Sequence, residues 1–580
     1  MIGLDPRSLA VFRIGLGLTL LLDLAIRSMD VRAMYSGDGF LEMERSIKMS
    51  GPMGWSLHWI SGELWFQSLL LAAAAVLATG VVLGWRTRWM VIGSFVLLAS
   101  IHTRNPVILN GGDGWVRAML FWAMFLPLGR VWSLDARRLT NKGRPPPLKP
   151  VVSMATFCLI VQLCVIYWFA GTAKLNEVWL GFDAKEVWQD PSKITSISLG
   201  GSAMERALHY DMYEKPLAGV LLHAPWLLRV ICLGTLFLEI IGPCLLFIPF
   251  RTRWWRLIVV ASFALLHIGI ELTLHVGMFT WISLSVWAAL LPAMVWESSL
   301  VRRLAPWKAG QPSGGARKPM GEFVTLRQFI SYSTVLIAVV LAHAIFYWIW
   351  GGEWTIHCCL ICVWAVSLGI HIGSSPSVSV RRIHNAVTSV SLAIMVNLAL
   401  VTFFAVAMAW NFSYSFEKDD KTEIQRFLRP VANTMMLRQR WNMFSKPVET
   451  ESWFVYRAEL TSGEVVDIQL NGQPVSMEKP ADLSSNYANH RWRKLHVNLA
   501  TKRFKRYREP VADYLCRRWN ETHGPDQQIE TLKLYKLTEK KGSADECSSA
   551  LCLTITPDPQ PPESDNEEDS SADESLAATR

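Results

Sequence analysis

The sequence predicts an all-α, multi-pass membrane bundle of about eleven transmembrane helices, followed by a small α+β domain outside the membrane. Of the 580 residues, 51% are hydrophobic and only 18% are charged, which is too apolar for an ordinary soluble protein. The apolar residues are concentrated in stretches of roughly 20 residues, the length that crosses a bilayer as a helix. After about residue 450 the pattern changes to alternating apolar and polar residues, which is typical of strands.

Eleven apolar stretches are candidate spans. The first follows Arg7 without a small-residue cleavage site, so we expect a transmembrane helix there rather than a signal peptide. The fourth is short, and two pairs of stretches meet with almost no loop near Arg88 and Leu274. The candidates are residues 8–26, 64–84, 87–103, 115–129, 151–170, 226–249, 254–272, 274–296, 328–350, 354–374 and 386–410.

The distribution of Lys and Arg predicts the orientation. The even-numbered connections contain 19 basic residues, whereas acidic residues outnumber basic ones in the odd-numbered connections. The positive-inside rule then places the N-terminus in the cytoplasm, and the loops 27–63, 104–114 and 171–225 on the outer face with the chain after Trp410. In a bacterium this is an inner-membrane protein with a periplasmic C-terminal domain. The basic collar faces anionic membrane lipid, so the net charge of +9 does not require a nucleic-acid partner.

Composition divides the chain into four regions. Strands are predicted at 453–460, 465–470 and 529–537, around a basic helical stretch at 489–516. From Asp545 to Arg580 ten acidic residues accompany one basic residue, which predicts a disordered tail. The regions are a transmembrane domain (4–300), three additional transmembrane helices (301–410), an outer α+β domain (412–544) and the acidic tail (545–580).

Ionisable residues inside the spans are candidate functional groups, because a charge at membrane depth costs several kcal/mol unless it is paired. For Arg13 and Glu239 we favour a structural role as buried partners that fix helix packing. Lys174 ends the fifth apolar run, just after the aromatic residues that begin at Tyr167. Partial desolvation there disfavours the charged form of a lysine and lets it act as a base. The alternative, favoured by spacing alone, is an interfacial anchor.

Two further groups of polar residues are candidates for a pocket. His267, Glu271 and His275 would share one face of an unbroken helix, where they could bind a metal, carry a proton or hydrogen-bond within the bundle. Their spacing is a poor zinc signature, and the His and Cys residues at 357–362 lie in an apolar run that favours packing, so we predict no metal. Asn110 and Asp113 belong to a glycine-rich turn at the outer boundary.

Several motifs resemble known membrane families. The run from Tyr167 to Trp179, with Ala170-Gly171, Lys174-Leu175 and Trp179, is similar to vitamin K-dependent γ-glutamyl carboxylases, as are His267 with 277–279 and Trp132-Ser133-Leu134-Asp135. The resemblance to HTTM (horizontally transferred transmembrane) domain proteins is closer, from residue 4 to about 300. It rests on Asp5-Pro6-Arg7-Ser8-Leu9, Tyr35-Ser36-Gly37-Asp38-Gly39, Arg104-Asn105-Pro106 with Asn110-Gly111-Gly112-Asp113, and Arg440-Trp441-Asn442-Met443-Phe444.

The resemblance implies a membrane enzyme that oxidises a reduced quinone, such as reduced vitamin K, with O2 at its outer face. Lys174 would be the base, and Asn110, Asp113, Tyr167 and His267 would line the pocket with Glu271 and His275. Carboxylases use CO2 and a peptide glutamate as acceptor, assisted by a histidine directly after an asparagine. Here Gly111 follows Asn110, which puts carboxylation in doubt. The alternative is a non-catalytic membrane protein that binds a lipid or quinone, or presents its outer domain to a partner.

Overall fold

The computed structural model describes residues 3–51, 53–182, 200–299, 400–411, 423–439, 441, 443–447, 450–480, 482–540 and 547–556. In its first 299 residues, the helices are α1 Pro6–Ser28, α2 Val31–Tyr35, α3 Met43–Ser50, α4 Leu64–Leu83, α5 Thr87–Arg104, α6 Gly111–Ala123, α7 Leu134–Asn141, α8 Met154–Thr172, α9 Glu177–Leu180, α10 Ala203–Leu208, α11 Pro216–Leu222, α12 Pro225–Leu245, α13 Thr252–Thr273, α14 Phe279–Ala288 and α15 Ala293–Glu297. Short 3₁₀ turns lie at Leu57–Trp59 and Pro106–Ile108.

Later in the chain, helices alternate with a small sheet. The helices are α16 Leu400–Asn411, α17 Glu423–Thr434, α18 His490–Leu499 and α19 Arg508–Thr522. The strands are β1 Thr450–Leu460, β2 Val465–Asp467, β3 Gln473–Pro474, β4 Ile529–Lys540 and β5 Cys547–Ile555. A mostly helical membrane protein with a small C-terminal sheet is therefore confirmed.

Five helices among the described residues are long and apolar enough to cross a membrane: α1, α4, α8, α12 and α13. They match five predicted spans, but the predicted total of about eleven is not supported. The predicted span 115–129 overlaps only the 13-residue α6, which starts at Gly111 and ends before Pro127, and a proline cannot donate a helical hydrogen bond. Within the predicted span 274–296, α14 begins only after Gly277, at φ 66°, and Pro292 lies between α14 and α15.

The remaining predicted spans have different outcomes. The helix at 87–103 exists as α5, but it ends in His102, Thr103 and Arg104 and is not among the five apolar spans. The predicted spans 328–350 and 354–374, and the His and Cys residues at 357–362, lie outside the described residues. Only α16 is described from the predicted span 386–410.

One end of the bundle contains the basic connections, and we call it the basic end. There the guanidinium of Arg13 donates to three backbone carbonyls, those of Leu128 (3.2 Å), Val131 (3.3 Å) and Trp132 (2.6 Å). Asp135 accepts hydrogen bonds from the backbone nitrogens of Arg86 and Thr87 and so satisfies the start of α5. Arg13 and Asp135 therefore both bind backbone groups of the connections at this end.

The opposite end packs against the C-terminal domain, residues 450–555, and we call it the domain end. The domain is a five-stranded antiparallel sheet in the order β3-β2-β1-β4-β5, covered by α18 and α19. α18 packs on the turn Pro106–Ile108, where Asn498 donates to the carbonyl of Val107 at 2.5 Å. The described parts of the loops 27–63, 104–114 and 171–225 each contact the domain at this end.

The predicted start of disorder at residue 545 is wrong, because β5 occupies Cys547–Ile555 and pairs with β4 from Glu539 to Leu532. The acidic composition of the tail as a whole concealed a short apolar stretch, Ala550 to Ile555, which β4 can pair with at the sheet edge. The predicted strands at 453–460 and 529–537 are confirmed as β1 and β4. At 465–470 only the first three residues are strand, and the rest form a 3₁₀ turn.

Burial of His496 makes the stability of the C-terminal domain depend on pH. The side chain is 2% exposed, its Nδ1 lies 2.9 Å from the carbonyl oxygen of Trp492, and its Nε2 lies 3.2 Å from the hydroxyl of Tyr456. This arrangement suits the neutral ring, with one nitrogen donating and the other accepting. Burial lowers the pKa of His496 from 6.5 to about 4.

We expect the free energy of unfolding to fall as the pH falls from 6.5 to 4, because there the unfolded chain binds a proton at His496 that the folded chain does not. The contribution reaches about 3 kcal/mol at the acidic end of this range. His496→Gln should remove it, whereas replacement of the exposed His209 by Gln should leave the pH dependence unchanged. Thermal unfolding of the detergent-solubilised chain between pH 7 and pH 4.5 measures this. An unaltered slope in His496→Gln would contradict it.

Candidate functional site

Lys174 forms a buried ion pair with Glu239 near the domain end of the bundle. Lys174 is 2% exposed and Glu239 7%. The ammonium Nζ lies 2.7 Å from a carboxylate oxygen of Glu239, and it also donates to the backbone carbonyl of Ala170 at 3.2 Å. The face of Trp179 lies 5.4 Å from the same nitrogen, within the range of a cation–π contact. The sequence had singled out both ionisable residues separately but did not pair them.

Local sequence explains how α8 and α12 bring the pair together. A Cβ atom at Gly171 would lie only 2.8 Å from the side chain of Ile240 and 3.0 Å from Glu239 Cβ, so glycine permits this close approach. After α8 ends, the chain turns through Asn176, which donates to the carbonyl of Ser445 at 2.9 Å. The indole of Trp179 donates to the carbonyl of Phe444 at 2.9 Å. The segment after α17 therefore holds the turn that carries Lys174.

Tyr167 and His267 form a second buried group. The hydroxyl of Tyr167 lies 2.6 Å from Nε2 of His267 and accepts a hydrogen bond from the indole of Trp287 at 2.9 Å. The buried Nδ1 of His267 has no hydrogen-bond partner among the described residues. Glu239 lies within electrostatic range of Tyr167, so this group neighbours the Lys174–Glu239 pair.

The three residues that would share the face of an unbroken helix do not all lie in one helix. α13 ends at Thr273, and Leu274 has extended backbone geometry, so His275 is outside the helix. Glu271 pairs with Lys215 at 2.8 Å, whereas His267 contacts Tyr167. The helix therefore does not run unbroken through all three, because an extended residue ends it before the third.

Asn110 and Asp113 cap the start of α6. The Asn110 side chain accepts from the backbone of Asp113 at 3.2 Å, and the Asp113 carboxylate accepts from the backbone of Asn110 at 2.7 Å. Gly277 lies against this cap. A Cβ atom there would be 3.4 Å from the Asn110 amide and 3.1 Å from His490 of the C-terminal domain.

Asp113 also belongs to a buried ionic cluster, formed by Asp23, Arg27, His102, Asp113 and Arg491. Arg491 reaches in from α18 and binds both carboxylate oxygens of Asp113, at 2.6 and 2.8 Å. It also contacts Asp23. Arg27 pairs with Asp23 and with Asp113, each at 2.7 Å. Two carboxylates thus face two guanidinium groups, and neither arginine is more than 2% exposed.

Except for Asp113, the members of this ionic cluster are not among the predicted site residues. Asp23 and Arg27 lie four residues apart at the end of a predicted span, and that spacing was a usable signal. Nothing in the local sequence indicates that Arg491 is buried, because it lies in a strongly basic stretch that is typical of a solvated surface. Arg117 of α6 is also bound by a distant part of the chain, because it donates to the carbonyls of Met436 and Arg438, each at 3.2 Å.

Three members of this cluster are close enough together to be considered as metal ligands. One possible ligand atom each from Asp23, His102 and Asp113 lies within 4.8 Å of the others. The guanidinium groups of Arg27 and Arg491 already occupy the carboxylate oxygens of this set. Because a cation would have to displace them, the cluster fits an ionic connection between domains better than a metal site.

Comparison with known proteins identifies the membrane part. The family model for the HTTM domain matches residues 3–296, just over half of the chain. No curated protein and no solved structure matches the chain. The matched residues include Lys174, Glu239 and the Tyr167–His267 group, together with every member of the ionic cluster except Arg491. On this match, the chain belongs to the HTTM domain family.

Proposed function

We propose that this HTTM protein is a carboxylase-like membrane enzyme that oxidises a reduced quinone, with Lys174 as the base and Glu239 as its partner. The buried Lys174–Glu239 pair carries the proposal. The free-energy cost of removing two charges from water usually exceeds the gain from their attraction. A protein with well-packed apolar side chains in their place is often as stable or more stable. A pair retained at membrane depth is therefore a functional hypothesis by default.

The groups around Lys174 suit proton transfer from a quinol substrate. The indole of Trp179 lies beside the amine, and Glu239 can take up a proton from the ammonium. With its proton passed to Glu239, the neutral amine can accept a proton from a quinol hydroxyl. Tyr167 and His267 provide further hydrogen-bonding groups next to the pair.

The quinol and O2 supply the redox chemistry when they are bound. In the reaction that the resemblance to carboxylases implies, one oxygen atom enters the quinone as an epoxide and the other leaves as water. We propose this oxidation without carboxylation, because Asn110 is followed by Gly111 and not by histidine. We also propose that the domain end is the outer face, since the basic connections lie at the opposite end.

A second candidate is a non-catalytic membrane protein that binds a lipid or quinone, or presents its C-terminal domain to a partner. The observation in its favour is that Asn110 and Asp113, two of the predicted pocket residues, are used in the helix cap and in the ionic cluster. Lys174 itself is also nearly inaccessible to solvent.

Turnover of vitamin K hydroquinone with O2 by the purified full-length protein in lipid tests the proposal. We expect Lys174→Ala to lower the rate at least 100-fold, in the range for loss of a general base. Lys215 provides a matched control, because it forms a similar but more exposed pair with Glu271 at 2.8 Å. Lys215→Ala should change the rate less than threefold. Unchanged turnover in Lys174→Ala would remove this lysine from the mechanism, and no turnover of any quinol by the wild type would favour the second candidate.

A further inference from the structure

The C-terminal domain carries a basic groove on its surface. The groove has a volume of about 420 Å³ and lies between the 3₁₀ turn Lys502–Tyr507, the start of α19 and the edge strand β5. Five cationic side chains line it against one carboxylate, that of Glu509. The cations are Lys502, Arg503, Lys505, Arg506 and Arg508. We call it the basic groove.

Four cations of the basic groove are exposed, and the fifth is held in place by other contacts. Lys502, Arg503, Lys505 and Arg506 are exposed, and within the part of the chain that the structure describes none of the four has an ion-pair partner. Arg508 is fixed below them, because its guanidinium donates to the carbonyl of Leu499 at 3.0 Å and contacts the Cys552 sulfur at 3.1 Å. The pKa of the nearby Lys536 is lowered, first by burial and then by the positive charge of Arg508.

β5 ends close to this groove. Cys552 and Leu553 line it, and the strand ends two residues later at Ile555. At roughly 3.3 Å per extended residue, the chain from Leu553 reaches Asp558 within about 17 Å. From Asp558 to Glu574 the sequence contains eight acidic residues and no basic one. A strongly acidic segment thus follows within a few residues of the strand that lines the groove.

We propose that the basic groove binds the acidic C-terminal segment of the same chain, residues 557–580. Opposite charges attract, and the short connection keeps the effective concentration of the segment high, so weak contacts suffice. This inference does not depend on the proposed quinol chemistry, because the groove lies on the C-terminal domain.

A fluorescent peptide with the sequence of residues 557–580 tests the proposal. We compare its binding to the full-length protein and to a protein that ends at Thr556, both in detergent, by fluorescence anisotropy at low salt. The shortened protein should bind the peptide at least tenfold more tightly than the full-length protein, whose own segment competes. High salt should abolish the difference, since exposed charges are screened. Equal affinity of the two proteins would overturn the proposal.

Charge reversal tests whether the peptide binds in the groove itself or only through general electrostatic attraction. In the shortened protein, the double replacement Arg503→Glu and Arg506→Glu should weaken peptide binding at least tenfold. The matched control replaces Arg137 and Arg138, two exposed arginines of α7 at the basic end, by Glu, and its affinity should stay within twofold. Unchanged elution in gel filtration shows that the variants are folded. Undiminished binding in the groove variant, or preferential binding of phosphatidylglycerol vesicles that the peptide cannot displace, would also overturn the proposal.

Discussion

Replacing Arg491 with methionine is expected to lower the free energy of unfolding by about 3–5 kcal/mol, the usual cost of removing one partner from a buried ion pair. Arg491 is the guanidinium that the C-terminal domain inserts between Asp113 and Asp23 of the bundle. Without it, two buried carboxylates share only Arg27, and one negative charge remains uncompensated. The variant should also release the domain, which limited proteolysis would detect as faster cleavage before β1.

The control for Arg491 is another arginine between the same two parts. Arg517 of α19 is exposed and donates to the backbone carbonyl of Asp38 at 3.3 Å. Arg517→Met should cost less than about 0.5 kcal/mol, as is usual for an exposed polar contact. Adding Asp113→Asn to Arg491→Met restores charge balance and should recover part of the lost stability. Equal stability of the two single variants would show that the cluster does not connect the domains.

The second large effect concerns activity rather than stability. Changing Lys174 to Met and Glu239 to Leu together should keep the stability within about 1 kcal/mol of the wild type, because no buried charge is left unpaired. Each single variant leaves one buried ionisable group without its partner and should lose about 3 kcal/mol. The double variant should nevertheless have lost quinol oxidation, since it lacks the base.

Measuring stability and turnover on the same preparations separates the two roles of this pair. Thermal unfolding in detergent reports the stability of the four proteins of the cycle, and quinol oxidation in lipid reports their activity. A double variant that is both stable and active would show that the pair does not act in catalysis. A double variant as unstable as the singles would show that the pair is required for packing between α8 and α12.

The local sequence was sufficient for several features. The five long apolar helices and the two long strands follow from residue patterns within about 20 positions. Burial requires apolar residues in a long run or at the period of the element, and both patterns are visible locally. Lys174, Glu239 and His267 were recognisable as candidate functional residues, because ionisable side chains in apolar runs cost free energy to bury. Short or broken helices were less predictable, as at Pro127 and Gly277, because a run of apolar residues does not show where its backbone bends.

The pairing of residues was decided only by the tertiary structure. Lys174 and Glu239 are 65 positions apart, and Asp113 and Arg491 are 378 positions apart. No local pattern can encode such pairs, because a charge becomes a buried partner only when the fold brings a counter-charge to it. By itself the sequence determined a membrane bundle with several costly ionisable residues and a C-terminal sheet. The fold decided that Lys174 has Glu239 as its partner, and that Arg491 connects the two parts through charges which could not be buried alone.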